Sequence, residues 1–513
     1  MINTWLLDSN WYLTYGLFLL ADALQQFTGL PCWVFFKVMS VLLIIGIGYE
    51  MRRLAQQVFG IPDAIGVWLP ALVFSFPIWY IFFTYTSMSG HLTCVWLALT
   101  GYRLFYSNKK WTIILGTFFV AMSFQLASNC AFILALEFGR WVLRKGKSQW
   151  SYGRSLGLLL LALAVFAATR VIWPPVGTYV GYNRFLNPLH LGSWISYLKY
   201  SVLFATWLVL LVPMLFGSWW AFNRCDTTSF AGARGIWQVL KQQRIVVGVF
   251  AFLVLSACAP YIAVGLGSPL FTVNTGTSGS VSAALANNSA SGPFGVWFGG
   301  WGARHMLLMM IPMVLLAGWL ASLAYQSIPS DGDFPRAVIT ASFALTIIVC
   351  LALGLSGHWA KLQRIAKEQA VVQLLASKPR LPYGQVDLLL NRHEDFLSSI
   401  YETNYLLYRA YKSTRWAALM LPDNPVVRAW GDEHRRLTLD VAPKDRSKIA
   451  GLNMMDDYSW SDTCKTVARI SLPPLGIWDV LWRTEHVPAQ LPYAHIEPVA
   501  TTCPNTDPFR QSP

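Results

Sequence analysis

Acidic residues are scarce over the first 357 positions, where only eight occur among repeated apolar runs. Apolar runs of about 17–25 residues are long enough to cross a hydrocarbon core of about 30 Å as helices. The whole chain of 513 residues is 55% hydrophobic and 12% charged, about half the charged share of a soluble protein. The sequence therefore predicts an all-α polytopic membrane protein.

About ten transmembrane helices are predicted, with a range of nine to eleven. They lie near 34–50, 65–85, 91–106, 111–126, 127–143, 155–173, 195–222, 246–267, 305–325 and 337–357. The segment 111–143 joins two short apolar stretches at Ser128-Asn129. It is either two spans or a tight hairpin that does not cross fully, and both alternatives leave the later spans in the same orientation.

Basic residues indicate the orientation of these spans. The clusters follow the first, third, fifth and seventh spans: Arg52, Arg53, Arg103, Lys109, Lys110, Arg144, Lys145, Lys147, Arg154, Arg224, Arg234, Lys241 and Arg244. Loops rich in Lys and Arg stay in the cytoplasm. We therefore expect a multi-pass protein of the bacterial inner membrane with its C-terminus in the periplasm. The net charge of +14 belongs to these loops and does not indicate nucleic-acid binding.

Charge also predicts the domain organisation. From His358 onward there are 19 Lys and Arg and 17 Asp and Glu, an ordinary soluble balance. We expect a transmembrane domain over 34–357 and a periplasmic globular domain over 358–513, α-rich or α+β. The latter is expected to begin as a helix that continues out of the membrane over 359–377.

The first 33 residues are ambiguous. Residues 11–30 are apolar, but Asp22, Gln25 and Gln26 fall on one helical face. The pattern favours an amphipathic helix on the outer surface of the membrane. The alternative is a partial or eleventh span.

Two acids on the predicted outer face, Asp8 and Asp22, are the candidates for a catalytic base. A carboxylate there can accept a proton from an acceptor hydroxyl within hydrogen-bond reach. The structural alternatives are an N-cap for the first helix, formed by Asp8 or Ser9, and a solvated polar face for Asp22.

Basic residues of the outer loops are the candidates for binding an anionic lipid carrier. They are Arg170, Arg184, Lys199, Arg304 and His305. An Arg in or beside a span usually has a partner, and phosphate or pyrophosphate suits its geometry. The alternative is that these side chains reach phospholipid headgroups.

The long outer loop over 268–300 is rich in small and polar residues and leads to Trp297 and Trp301. Such a loop can act as a lid, with the two indole rings stacking on a sugar. The alternative is an irregular loop followed by an interfacial aromatic belt.

Three further pairs carry weaker predictions. Cys464 and Cys503 form a disulfide if the tail is periplasmic, and otherwise are two free thiols. Glu137 and Arg140, three apart, predict a structural ion pair, with proton-coupled transport as the alternative. Asp331 and Asp333 predict a turn rather than a cation site. The sequence shows no metal-ligand set, although a divalent cation is compatible with the predicted chemistry.

Four features together resemble the bacterial polytopic glycosyltransferases of the GT-C superfamily and membrane proteins of surface-polysaccharide assembly. They are Asp8 ahead of the spans, the surface helix, short spans after Phe-Pro-Ile-Trp-Tyr at 76–80, and Trp-Gly-Ala-Arg-His-Met-Leu-Leu at 301–308. The resemblance concerns architecture and covers the transmembrane domain loosely. It implies Asp8 as base and Arg304 as phosphate contact. The chain departs from it in lacking a span before Asp8.

The leading hypothesis is therefore a glycosyltransferase or polysaccharide polymerase. It would take sugar from a polyprenyl-(pyro)phosphate carrier at the periplasmic face, in contact with membrane lipids. Two alternatives remain open: a flippase or solute transporter, and a non-catalytic scaffold. In the scaffold, the C-terminal domain docks an envelope-assembly partner.

Overall fold

The structure is a computed structural model that describes residues 11–77, 79, 89–107, 109–143, 152–174, 206–224, 240–257, 306–329, 332–376, 386–390, 465–471 and 495–502. The chain divides into two compact units. The first comprises Met1–Ser268 and Gly300–Ser356, and the second comprises Pro269–Gly299 and Gly357–Pro513.

The helices and strands follow in this order. They are α1 (Tyr12–Thr28), α2 (Cys32–Gln57), α3 (Asp63–Gly66), α4 (Trp68–Ser75), α5 (Ser89–Leu104), α6 (Lys110–Ser123), α7 (Ala127–Leu143), α8 (Tyr152–Ile172), a 3-10 helix (Thr206–Leu211), α9 (Val212–Arg224), α10 (Arg244–Ala257), α11 (Met306–Ser327), α12 (Asp333–Ala376), β1 (Val386–Leu390), β2 (Lys465–Ser471) and β3 (His495–Thr502).

Four helical segments are long and apolar enough to cross a membrane. They are Val34–Gln57, Gly153–Ile172, Leu307–Ser327 and Asp333–Leu355. Shorter apolar segments are Asp63–Ser75, Lys110–Ser123 and Arg244–Ala257. The prediction of a helical protein is thus confirmed, and four of its helices have the length and composition of membrane spans. The count of about ten spans and the assignment to the inner membrane stay predictions.

The span in α11 is the central helix of the first unit. Of its most apolar stretch, 89% is buried inside the protein, against 17–39% for the other three spans. A helix that is apolar on every side is buried on every side, and α11 packs against α4, α9 and α10. The outer spans instead expose large apolar side chains, such as Leu42, Leu160 and Ile348, as lipid-facing surfaces do.

Glycines allow α5 and α6 to pack closely. A Cβ atom added to Gly101 would lie 2.7 Å from the Gly116 carbonyl oxygen, and one added to Gly116 would lie 2.8 Å from that of Gly101. Small residues at facing positions bring helix backbones together in membranes. This contact fixes α5 and α6 as an antiparallel pair that spans the distance between the two polar clusters described below.

Two predicted spans have a different form in the structure. The prediction of one span over 65–85 is not matched, because α4 ends at Ser75 and Phe76 is extended, with ψ of 130°. Pro77 follows, and a residue before proline disfavours helix. The segment 111–143 forms α6 and α7, joined by the bend at 124–126. α6 packs on α5 and α8, whereas α7 packs on α10.

The second unit contains a three-stranded sheet in the order β1-β2-β3. β1 pairs with β2 in parallel, and β2 pairs with β3 antiparallel. The predicted helix over 359–377 is confirmed, since α12 continues unbroken to Ala376. The C-terminal globular domain as a whole stays a prediction.

Candidate functional site

Two clusters of polar side chains lie at opposite ends of the first unit. The Glu137 end comprises Glu50, Thr100, Tyr102, Arg103, Tyr106, Glu137, Arg140 and Ser155, and the Gln125 end comprises Trp11, Tyr12, Thr14, His91, Gln125, Asn129, Thr169 and Arg170. α5 and α8 connect them. His91 is near the start of α5 and Arg103 near its end, while Ser155 and Arg170 lie about 20 Å apart along α8.

At the Glu137 end, both oxygens of the buried Glu137 carboxylate are occupied. Arg140 donates to them at 2.6 and 3.0 Å, and the guanidinium also lies 4.4 Å from the centroid of the Tyr106 ring. Tyr102 donates at 2.9 Å, Ser155 at 2.7 Å, and Tyr106 also donates to this carboxylate. The predicted ion pair of Glu137 and Arg140 is therefore confirmed, inside a network that joins α5, α7 and α8.

A second buried acid of this end, Glu50, is also paired. Arg103 donates from two nitrogens to its two oxygens, at 2.7 and 3.0 Å, and Thr100 donates at 3.2 Å. This contact joins α2 to α5. Charges buried between helices are tolerated when they are paired and hydrogen-bonded. Both acids of this end are thus held in closed structural networks.

At the other end, Gln125 stands in the bend between α6 and α7. Its Oε1 accepts a hydrogen bond from the Leu13 N–H at 3.0 Å, at the start of α1. Its Nε2 is buried and has no hydrogen-bond partner, and the residue is only 4% exposed. Because the Leu13 N–H requires an acceptor, the amide orientation is fixed and Nε2 remains as a donor.

Asn129 and Thr14 each also have one buried polar atom without a hydrogen-bond partner. Asn129 donates from Nδ2 to the Ser123 carbonyl oxygen at 3.0 Å, so its Oδ1 remains as an acceptor. Asn129 is 0% exposed and Thr14 is 1% exposed, and neither Asn129 Oδ1 nor Thr14 Oγ1 has a partner. Each unsatisfied buried polar group costs about 1–3 kcal/mol, so this cluster is unusual unless something binds to it.

Arg170, near the end of α8, is a half-buried cation of the same end. Its guanidinium lies 5.1 Å from the centroid of the Phe166 ring, and Nη1 is buried without a hydrogen-bond partner. The neighbouring Thr169 Oγ1 is 2.9 Å from Tyr12 Oη, which ties α8 to α1. In the part of the chain that the structure describes, no carboxylate pairs with Arg170.

Both ends of α1 lie at the Gln125 end of the unit. The Trp11 ring, just before α1, contacts His91 at the start of α5, with centroids 4.7 Å apart. Gln25, in the last turn of α1, accepts a hydrogen bond from the N–H of Cys32, the first residue of α2. A helix with both termini at one end of a bundle has the placement expected of a surface helix. Its exposure to water or lipid stays a prediction.

Among the predicted site residues, Arg170 and Asp22 are described by the structure. Asp22 is exposed on α1, and its carboxylate accepts a hydrogen bond from Gln26 Nε2 at 3.1 Å. The remaining candidates lie outside the described residues: Asp8, Arg184, Lys199, Trp297, Trp301, Arg304, His305, Cys464 and Cys503. The structure therefore brings Arg170 to the Gln125 end and leaves the other predicted groupings untested.

The alternative role as N-cap concerns Asp8 and Ser9, which lie outside the described residues. The N-cap residue of α1 is Trp11, which makes no side-chain cap hydrogen bond. The Leu13 N–H is instead satisfied by Gln125, which is 112 positions away in the sequence. The first N–H groups of a helix need acceptors from outside the helix. Here Gln125, in the bend between α6 and α7, supplies one of those acceptors.

Sequence reasoning missed Thr14, Gln125 and Asn129. Each is a neutral polar residue within an apolar stretch, and such residues usually bond to their own helix, as Thr93 and Thr117 do. The only available signal was Asn129 at the predicted junction of two short stretches. Among the described residues, no group of three or more His, Cys, Asp or Glu is arranged to hold a metal ion.

The cysteine prediction concerns residues that flank two paired strands. Lys465 at the start of β2 is opposite Thr502 at the end of β3. Cys464 directly precedes Lys465 in the sequence, and Cys503 directly follows Thr502. Both cysteines lie outside the described residues. Their disulfide stays a prediction.

Comparisons with known proteins give no relative. The chain matches no family model, and no curated protein or solved structure matches it.

Proposed function

We propose that this protein is a glycosyltransferase or polysaccharide polymerase of the bacterial inner membrane, using a polyprenyl-(pyro)phosphate sugar at the periplasmic face. The observation that carries the proposal is the contrast between Arg170 and the two arginines of the Glu137 end, Arg103 and Arg140. Arg103 and Arg140 have carboxylate partners, whereas Arg170 has none in the described part of the chain. A half-buried guanidinium without a counter-charge suits an anionic ligand such as a phosphate.

Supporting evidence comes from the position of Arg170. The positive-inside rule puts the Glu137 end in the cytoplasm, because Arg52, Lys109 and Arg154 lie there. The Gln125 end and Arg170 then face the periplasm. α1 also lies at that end and carries Asp22, and Asp8 precedes it in the sequence.

The proposed reaction needs one base and one phosphate contact. A carboxylate, Asp8 or Asp22, takes the proton of an acceptor hydroxyl as that oxygen bonds to the anomeric carbon. The bond from the anomeric carbon to the carrier phosphate oxygen breaks at the same time, and the lipid (pyro)phosphate leaves as an anion. Arg170 stabilises the charge on that leaving group. The C-terminal domain would hold the acceptor or an assembly partner.

The test uses a bacterial strain that lacks the gene and is complemented with variants. We expect Asp8→Asn, Asp22→Asn or both to stop glycan assembly and to cause sugar-loaded carrier lipid to accumulate, measured by mass spectrometry of extracted lipids. Arg170→Gln should reduce assembly, and Arg53→Gln is the matched control, since Arg53 is exposed near the Glu137 end and contacts Tyr49. Normal glycan with the double Asp variant, at normal protein level, contradicts the proposal.

A transporter is the second candidate function, and one observation favours it. Glu50 and Glu137 are buried in apolar helices, where ionisable residues often serve in ion or proton pathways. Both acids are fully hydrogen-bonded to arginines, which is the arrangement of a structural pair. Uptake or lipid flipping by purified protein in proteoliposomes, without any transfer product, would favour transport over transfer.

A further inference from the structure

We infer that Thr14, Gln125 and Asn129 form a binding site for the uncharged, hydroxylated part of the substrate, the sugar unit next to the carrier phosphate. This inference rests on the proposed function and assigns the sugar to residues of α1, α7 and the bend between α6 and α7. Arg170 then contacts the phosphate, and the neutral cluster contacts the sugar.

The three unpartnered atoms differ in whether they can donate or accept a hydrogen bond. Gln125 Nε2 offers only a donor, Asn129 Oδ1 only an acceptor, and Thr14 Oγ1 can act as either. A group that satisfies all three must both donate and accept hydrogen bonds. Hydroxyl and acetamido groups of a sugar do so, whereas a phosphate or a carboxylate only accepts.

The three residues are also alike in burial and charge. All three residues are more than nine-tenths buried, and their side chains carry no charge. A site that buries neutral donors and acceptors discriminates strongly for a ligand that pairs with them, because any other ligand leaves them unpaired. The Trp11 indole ring contacts His91 and lies three positions before Thr14 in the sequence, and an indole ring has an apolar face on which a sugar can stack.

Hydrogen bonds of α1 link the neutral cluster to the neighbour of the proposed phosphate contact, Arg170. Leu13 bonds to Gln125, and the preceding residue, Tyr12, bonds to Thr169, which is next to Arg170. The first turn of α1 therefore contacts both Gln125 and Thr169, the residue next to Arg170. A lipid-linked sugar likewise carries its hydroxyl groups and its phosphate close together, on either side of the anomeric carbon.

The test compares lipids with and without sugar. Purified protein in nanodiscs is titrated with polyprenyl phosphate alone and with polyprenyl phosphates that carry a hexose or an N-acetylhexosamine. The measured quantity is the ratio of affinities for the sugar-bearing and the bare lipid. We expect wild type to prefer one sugar-bearing lipid.

Two near-isosteric variants test the assignment. Thr14→Val removes a hydroxyl that has no protein partner, and Gln125→Glu keeps the Oε1 acceptor for Leu13 but loses the Nε2 donor. Each is expected to lower the ratio about tenfold. Binding of the bare lipid is expected to be unchanged in Thr14→Val, whereas the added carboxylate of Gln125→Glu repels the phosphate and weakens it. Thr117→Val is the matched control, since Thr117 is buried in α6 and bonds to the Ile113 carbonyl oxygen.

The outcomes separate the inference from the proposed function. If the ratio is unchanged in Thr14→Val and Gln125→Glu, while Arg170→Gln weakens binding of every lipid, the cluster does not bind the sugar and the inference is overturned. The proposed function then stands. If wild type binds no lipid of the panel, the inference and the proposed function both fail.

Discussion

The two ends of the helical unit treat buried polar groups in opposite ways. At the Glu137 end, two acids and two arginines form closed networks in which every carboxylate oxygen has a partner. At the Gln125 end, side chains of similar burial leave a donor, an acceptor, a hydroxyl and a guanidinium nitrogen without partners. Buried groups without partners lower stability, so the difference between the two ends is a cost in stability at the Gln125 end.

The largest difference expected between the two ends is their accessibility to a reagent added outside the cell. We expect single cysteines at positions 8, 22, 290 and 430, in a background without native cysteines, to react with an impermeant maleimide on intact cells. A cysteine at position 154, beside Ser155 at the Glu137 end, should be protected. Labelling at 154 with protection at 22 would reverse the ends and remove Arg170 from the periplasmic face.

Breaking the Glu137 network should destabilise the protein most. Glu137→Gln leaves the buried Arg140 without its counter-charge, and removal of one partner of a buried ion pair costs about 3–5 kcal/mol. Unfolding in mixed detergent micelles measures the change. The double variant with Arg140→Gln should be more stable than the sum of the two single losses predicts. Additive losses would show that the two residues do not act as a pair.

The Glu50 network should contribute less. Its partner Arg103 has a side chain that is 37% exposed, so solvent screens part of the interaction. After that discount, we expect Glu50→Gln to cost about 1–2 kcal/mol, near the value of a hydrogen bond to a charged group. The same unfolding measurement applies. A loss equal to that of Glu137→Gln would contradict the ranking by burial.

The smallest change in stability is expected at Arg170. Arg170→Gln removes a guanidinium with no carboxylate partner among the described residues, so the free energy of unfolding should change by less than about 1 kcal/mol. Binding of phosphate-bearing lipid should fall in the same variant. A large loss of stability would instead show that Arg170 is a structural residue like Arg140, and would remove the difference between the ends.

Sequence and structure agree where local pattern decides the outcome. The spacing of Glu137 and Arg140 places them on one helical face, and the helix over 127–143 has the bounds that its apolar stretch predicts. The end of the helix at Ser75 could also have been predicted from local sequence, because Pro77 disfavours helix at Phe76. The predicted span over 65–85 did not take this proline into account.

The Gln125 end could not be predicted, because it depends on contacts between residues that are far apart in the sequence. The contact of Gln125 with Leu13 joins residues 112 positions apart, and no period or motif encodes it. A neutral amide in an apolar segment resembles a residue that bonds to its own helix. Only packing shows that its second polar atom has no partner, so the candidate site depends on tertiary structure in a way that the ion pair does not.

The short α6 determines how a ligand would reach the proposed site. With Lys110 at the level of the headgroups, its 14 residues extend about 21 Å into a hydrocarbon core of about 30 Å. Gln125, just beyond its end, then lies below the opposite headgroups unless the bilayer thins locally. A water-borne solute would have to descend into the leaflet to reach it. A molecule anchored by a long hydrocarbon chain is already at that depth, and arrives by diffusing sideways within the membrane.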